Sequence, residues 1–114
     1  MNTSWKREKP SENRTRESIE IILGHNSQLL EFLFDPASPR IRKRAGILRD
    51  DLWSFSDEDQ LLIRAALDLW SGSGHLQLWE MVETWDKKHW VSFIAGVCRM
   101  VGVESEVVNK LRCP

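Results

Sequence analysis

Residues 56–101 constrain the fold more than any other part of this sequence. Their large apolar side chains recur every three to four positions, the spacing that places side chains on one face of an α-helix. Signals for the start and the end of a helix divide the segment into three parts. Since the connections between these parts are short, the segment predicts three helices that pack as near neighbours.

The first of these helices is predicted to begin after Ser56. Ser56 and Asp59 form an S-x-x-D capping pattern, in which the serine oxygen accepts a hydrogen bond from the third backbone N–H of the helix. The helix should end at residues 71–74, a run of serine and glycine that tolerates left-handed backbone conformations. Its apolar residues are Leu62, Ile63, Ala66, Leu67 and Trp70.

The other two helices meet at Asp86. One is predicted over residues 77–85, and the four residues of its apolar face are Leu78, Met81, Val82 and Trp85. Asp86 can cap the next helix, which Gly102 should end. That last helix has the most regular apolar stripe in the chain, formed by Trp90, Phe93, Ile94, Val97, Cys98 and Val101.

The remaining residues predict a tail and further helices. Residues 1–14 are mostly polar, so we expect a flexible, disordered tail that buries too little apolar surface to offset the entropy of ordering. A helix is predicted over residues 15–34, with a kink or a break at Gly24. Serine followed by proline predicts the start of a helix over residues 38–52, and a short last helix is predicted near 107–111.

The sequence therefore predicts an all-α protein, a single compact bundle of four to five short helices over residues 15–114. A length of 114 residues suits one domain, and an apolar fraction of 41% is ordinary for a globular protein. No stretch approaches the roughly 20 apolar residues of a membrane span. The amino terminus also lacks the apolar run of a signal peptide, so we expect a cytoplasmic protein with no membrane partner.

The sequence contains no recognisable catalytic, cofactor or metal motif. Its histidines and cysteines lack the paired spacings of zinc sites, and one Asp-x-x-His pair, Asp86 and His89, is too little for a two-metal bundle. Cys98 falls on an apolar stripe, where a thiol packs as an apolar side chain. No nucleophile can be paired with a base. We therefore expect a protein that is not an enzyme and has no cofactor, metal or small-molecule substrate.

Six tryptophans and no tyrosine are the unusual feature of the composition. Three of the indoles fall on apolar stripes, whereas Trp79 and Trp53 lie at stripe edges, and Glu80 and Glu83 flank Trp79. Tryptophan is enriched at binding hot spots. Either these edge indoles pack in the core, or Trp79, Glu80, Glu83 and Trp53 form a partner-binding site. In the second case the protein is a binding or regulatory module that contacts a protein partner, or a second copy, through an aromatic and aliphatic helical face.

A basic cluster supports an alternative function. On the helix predicted over residues 38–52, the basic residues on the outer face are Arg40, Arg42, Lys43, Arg44 and Arg49. Such a face can contact phosphates, which predicts a nucleic-acid-associated protein that binds the phosphate backbone. Against this interpretation, Asp50 and Asp51 follow at once, and a charged helix face is usually only solvated. The net charge of −1 adds no general attraction to nucleic acid.

Overall fold

The computed structural model describes residues 11–37 and 40–103. In these ranges the all-α prediction is confirmed, but with six α-helices where the sequence predicted four to five. They are α1 (Glu12–Ile22), α2 (Ser27–Leu33), α3 (Ala45–Asp50), α4 (Asp57–Ser71), α5 (Leu78–Thr84) and α6 (Lys87–Val101). A short 3₁₀ turn at Leu52–Ser54 links α3 to α4.

Helix α1 begins earlier than the sequence indicates. The Ser11 side chain accepts a hydrogen bond from the backbone N–H of Arg14, which caps a helix that starts at Glu12. Residues 12–14, assigned to the tail from the sequence, are therefore helical. The rest of the predicted tail and the predicted last helix near 107–111 lie outside the described residues.

The helix predicted over residues 15–34 is broken into α1 and α2. Gly24 and His25 both have positive φ angles, 62° and 56°, which no helical residue has. Asn26 then caps α2, because its side-chain oxygen accepts from the backbone N–H groups of Gln28 and Leu29. Of the two outcomes predicted at Gly24, a kink or a break, the structure has the break.

The helix predicted over residues 38–52 is wrong in its first half. Residues 40–44 are not helical, and α3 begins only at Ala45. Ile41 forms an isolated β-bridge with Phe34, and the backbone N–H of Arg42 donates to the Leu33 carbonyl at 2.7 Å. The segment is therefore bonded to the end of α2, and those backbone groups are not available for helical hydrogen bonds.

Helix α4 is the centre of the core. It contacts α1, α2, α3 and α5, while α6 packs along α1. The predicted apolar face of α4 is buried except for Trp70, which is only partly buried. The buried residues of the helix are Leu61, Leu62, Ile63, Ala65, Ala66 and Leu67. They belong to one cluster with buried residues of three neighbouring helices, Ile19, Ile22, Leu29, Leu33 and Leu48.

Helix α6 packs only partly through the predicted stripe, of which Cys98 is buried while Trp90 and Phe93 lie against the core. Its fully buried residues are Ala95, Gly96 and Cys98, whereas Ile94 and Val97 in the predicted stripe are only partly buried. A Cβ atom on Gly96 would lie 2.6 Å from the Ser18 carbonyl oxygen of α1. Helix α6 therefore meets α1 at Gly96, because a residue without a Cβ allows the two backbones to approach so closely.

Candidate functional site

Three exposed apolar side chains lie together on α5, and we call them the α5 face: Leu78, Trp79 and Val82. Their exposed fractions are 67%, 69% and 58%. Leu78 and Val82, four residues apart, lie on one side of the helix, and Trp79 borders Val82 within an arc of about 100°. The sequence placed Leu78 and Val82 on a buried stripe, which is wrong. Of that stripe, only Met81 and Trp85 are buried.

The way α5 is fixed to α4 explains this exposure. Met81 is fully buried, and the indole N–H of Trp85, just after the helix, donates to the Glu58 carbonyl at 3.2 Å. At the other end, the backbone N–H of Gly74 donates to the Asp68 carboxylate at 3.0 Å. Helix α5 is thus attached at both ends and through its Met81 side, so the α5 face points away from the core.

Acidic residues border the α5 face on one side. Glu83 lies one turn after Trp79 and is exposed, and Glu80 forms an ion pair with Arg64 at 3.8 Å. Both glutamates and Asp57 line a cavity of about 260 Å³ between α4 and α5. Three carboxylates and one guanidinium give this cavity a negative balance of charge. The surface next to Trp79 therefore attracts cations.

The predicted partner-binding residues are only partly brought together. Trp79, Glu80 and Glu83 share α5, while Trp53 lies on the 3₁₀ turn. The Trp53 side chain is 83% exposed, which makes it the most exposed large apolar residue among the described ones. The two indoles predicted at stripe edges are thus both at the surface, on different elements.

The predicted basic face is replaced by a groove. The groove has a volume of about 430 Å³, and four of the five predicted basic residues line it: Arg40, Arg42, Lys43 and Arg44. The fifth, Arg49, does not. Arg49 instead donates from Nη1 to the Ser73 carbonyl, at the loop between α4 and α5. The groove also contains Trp70 and Glu12. Trp70, which the sequence placed on the α4 stripe, packs against the core and is only partly buried, so part of its indole also lines the groove.

The Asp86 and His89 pair serves to cap α6. The Asp86 carboxylate accepts a hydrogen bond from the backbone N–H of His89 at 3.1 Å. The same carboxylate oxygen lies 2.7 Å from Nδ1 of the His89 ring and forms a hydrogen bond with it. The backbone hydrogen bond is the main cause of a lowered Asp86 pKa, and the side-chain bond adds to it. The helix-start prediction at Asp86 is confirmed.

Acid should remove the stabilisation that Asp86 provides. Because its pKa is lower when folded, the stabilisation is present above the ordinary value of 3.8 and is lost as the pH falls through the folded-state pKa. At about pH 5 we expect Asp86→Ala to have a lower melting temperature than the wild type. At about pH 2 the difference in melting temperature should be smaller. Thermal unfolding followed by circular dichroism measures both. A difference that stays constant with pH would contradict the role of the charge.

The described residues give few other indications of chemistry. They contain no group of three or more His, Cys, Asp or Glu residues that could hold a metal ion. None of the helices among them is both long enough and apolar enough to cross a membrane. Comparison of the chain with protein-family models, with curated proteins and with solved structures finds no match. Functional inference therefore depends on the surfaces of the molecule itself.

Proposed function

We propose that this protein is a non-enzymatic protein-binding module, and that its α5 face docks a cationic amphipathic helix of a partner protein. The observation that supports the proposal is the exposure of Trp79 between Leu78 and Val82, on a helix that is attached to the core from its other side. Burial of one such large side chain stabilises a complex by about 1.5 to 3 kcal/mol.

Three adjacent exposed apolar side chains differ from the scattered ones found on most surfaces. Single exposed apolar residues are normal, whereas a contiguous patch with polar residues around it is typical of an interaction site. Trp79 is the largest member of the α5 face, and tryptophan is the kind of residue that dominates binding energies in alanine scans. An amphipathic helix is a suitable partner, because its apolar side can lie along a single exposed helix.

The acidic border favours a cationic partner over a second copy of this chain. In a two-fold symmetric dimer built on the α5 face, Glu83 of one copy would lie near the same acidic border in the other. Like charges across an interface are unfavourable, and a symmetric interface repeats each of them. Lysine or arginine on a partner would instead complement Glu83 and the cavity lined by Glu80 and Asp57.

The test uses a fluorescent model peptide in which leucine and lysine alternate at helical spacing. We expect Trp79→Ala to weaken its binding at least about 30-fold, the effect of losing a hot spot of about 2 kcal/mol. Because 69% of the side chain is exposed, the melting temperature should hardly change. Trp53→Ala is the matched control, since it also removes an exposed indole but from the 3₁₀ turn.

Several outcomes would count against the proposal. Equal losses in Trp79→Ala and Trp53→Ala would indicate non-specific adhesion of the peptide. Tighter binding by Glu83→Lys would show that the acidic border does not select the partner. If the wild type sediments as a dimer that Trp79→Ala dissociates, the occupant of the α5 face is a second copy. Unfolding of Trp79→Ala would show that the indole is structural.

A further inference from the structure

We infer that the groove lined by residues 40–44 and Trp70 is a second binding site, for single-stranded nucleic acid. In this site cationic side chains contact phosphates, and a base stacks on the Trp70 indole. The inference is independent of the α5 face, because none of the three residues of that face lines the groove. It rests on a net positive charge, one arginine held in position and a partly exposed indole.

The charge of the groove differs from that of the whole protein. Arg40, Arg42, Lys43 and Arg44 supply four positive charges, and Glu12 is the one acidic residue among the residues that line it. The complete chain has a net charge of −1. The net charge of the protein therefore does not attract a polyanion. The groove does, because several cations lie close together in a short stretch of chain.

The contacts around Arg42 hold this arginine in place. The bridge between Ile41 and Phe34 fixes the segment beside α2. The Arg42 guanidinium donates from Nε to the Glu31 carbonyl and from Nη2 to the Phe34 carbonyl, both at 3.1 Å. Neither bond uses Nη1, which can donate to a phosphate oxygen. The arginine is thus positioned before a ligand arrives, which lowers the entropy lost on binding.

Lys43 remains available to a ligand despite its ion pair. Its Nζ lies 3.8 Å from the Asp51 carboxylate, and about half of each side chain is exposed. Exposed pairs at this distance contribute little, so a phosphate can compete for the ammonium group. The adjacent Arg44 is exposed and directly precedes α3. These two side chains are the ones to remove in a test, because neither is buried.

Trp70 makes a single strand the better ligand. The indole packs edge-on against Phe34, with ring centroids 5.8 Å apart, and is only partly buried. Unpaired bases can stack on an aromatic ring beside a cationic groove, whatever their sequence. In a duplex the bases are already stacked on each other and cannot reach such a ring. The pairing of one indole with several cations therefore selects unpaired nucleic acid.

Fluorescence anisotropy of a labelled oligothymidylate tests the inference. We expect the double variant Lys43→Ala, Arg44→Ala to bind at least about tenfold more weakly at low salt. The slope of log affinity against log salt should also fall by about 1.4, at about 0.7 for each lost phosphate contact to a single strand. Lys87→Ala with Lys88→Ala is the matched control: it removes the same charge from the exposed start of α6, and its binding should equal that of the wild type.

Two further measurements distinguish a nucleic-acid site from a general anion site. Trp70→Leu should weaken binding of the oligonucleotide but not that of heparin, because only the oligonucleotide has bases. Equal loss in both double variants, tighter binding of a duplex, or no effect of a folded Trp70→Leu variant would overturn the inference. The Trp79→Ala variant should bind the oligonucleotide as tightly as the wild type. The proposals for the α5 face and for the groove are therefore tested independently.

Discussion

Replacing Gly74 with alanine should destabilise this protein by at least about 3 kcal/mol, at the upper end of the cost of overpacking. Gly74 is buried against α4, and an added Cβ would collide with the Arg64 carbonyl oxygen and lie 2.7 Å from the Asp68 nitrogen. Both are backbone atoms of a helix, so no side-chain rotation can relieve the contact. In a domain whose total stability is about 5 to 15 kcal/mol, this is a large loss.

Gly46→Ala is the matched control for the Gly74 substitution. Gly46 lies within α3, and the nearest atom to an added Cβ is the Arg49 Nη2 at 3.9 Å, an ordinary contact. Alanine is favoured over glycine inside a helix by about 0.5 to 1 kcal/mol, so this variant should melt at or above the wild type. Thermal and urea unfolding measure both variants. If they behave alike, the loop does not approach α4 as closely as described.

The Gly74 contact also explains why the α5 face exists. The loop before α5 is held to α4 by the Gly74 hydrogen bond to Asp68 and to α3 by the Arg49 hydrogen bond to Ser73. These contacts determine how α5 enters the structure. With Met81 directed into the core, Leu78 and Val82 are left exposed among the residues that the structure describes. The exposure of the α5 face is therefore a consequence of how the preceding loop packs.

The helix starts were predictable because caps are local. Ser56 accepts from the backbone N–H of Asp59, and Asp86 accepts from that of His89, both three residues along the chain. The stop at residues 71–74 was also predictable, since Gly72 ends α4 with a φ of 71°. In each case the residues that determine the geometry lie within one turn of each other. No knowledge of the tertiary structure is needed.

The direction in which a helix docks was not predictable from its apolar period. On α5 the stripe correctly contains Met81, but the same spacing includes Leu78 and Val82, which face solvent. On α6 the stripe correctly contains Cys98, but the helix meets α1 at Gly96, which is not part of the stripe. The apolar period identifies an amphipathic helix. Which of its residues are buried depends on how the neighbouring helices pack against it.

The groove depends on contacts between residues distant in sequence. The start of the helix predicted over residues 38–52 is replaced by the pairing of Ile41 with Phe34 and of Arg42 with Leu33, which are seven and nine residues earlier at the end of α2. Trp70 then reaches the groove from the far end of α4. A stripe pattern contains no information about such neighbours. The basic residues could be located in the sequence, but their arrangement and the indole beside them could not be predicted.

Gly96→Ala should destabilise the protein by about 2 to 3 kcal/mol, because α1 and α6 would have to separate. The added Cβ would lie 2.6 Å from the Ser18 carbonyl oxygen, and it would also meet the Ile22 side chain. The cost should be smaller than for Gly74→Ala, since Ile22 can change its rotamer. Urea unfolding of the variant, with Gly46→Ala again as the control, measures the effect.

A double-mutant cycle with Ile22→Ala separates the two contacts of Gly96. Ile22→Ala alone should cost about 2 to 5 kcal/mol, because this side chain is buried in the core. If the clash with Ile22 dominates, the two substitutions together should cost less than their sum, since the new Cβ occupies space that Ile22 has left. Strict additivity would mean that the Ser18 carbonyl alone sets the distance between the helices. A Gly96→Ala variant as stable as the wild type would show that α1 and α6 do not cross at this residue.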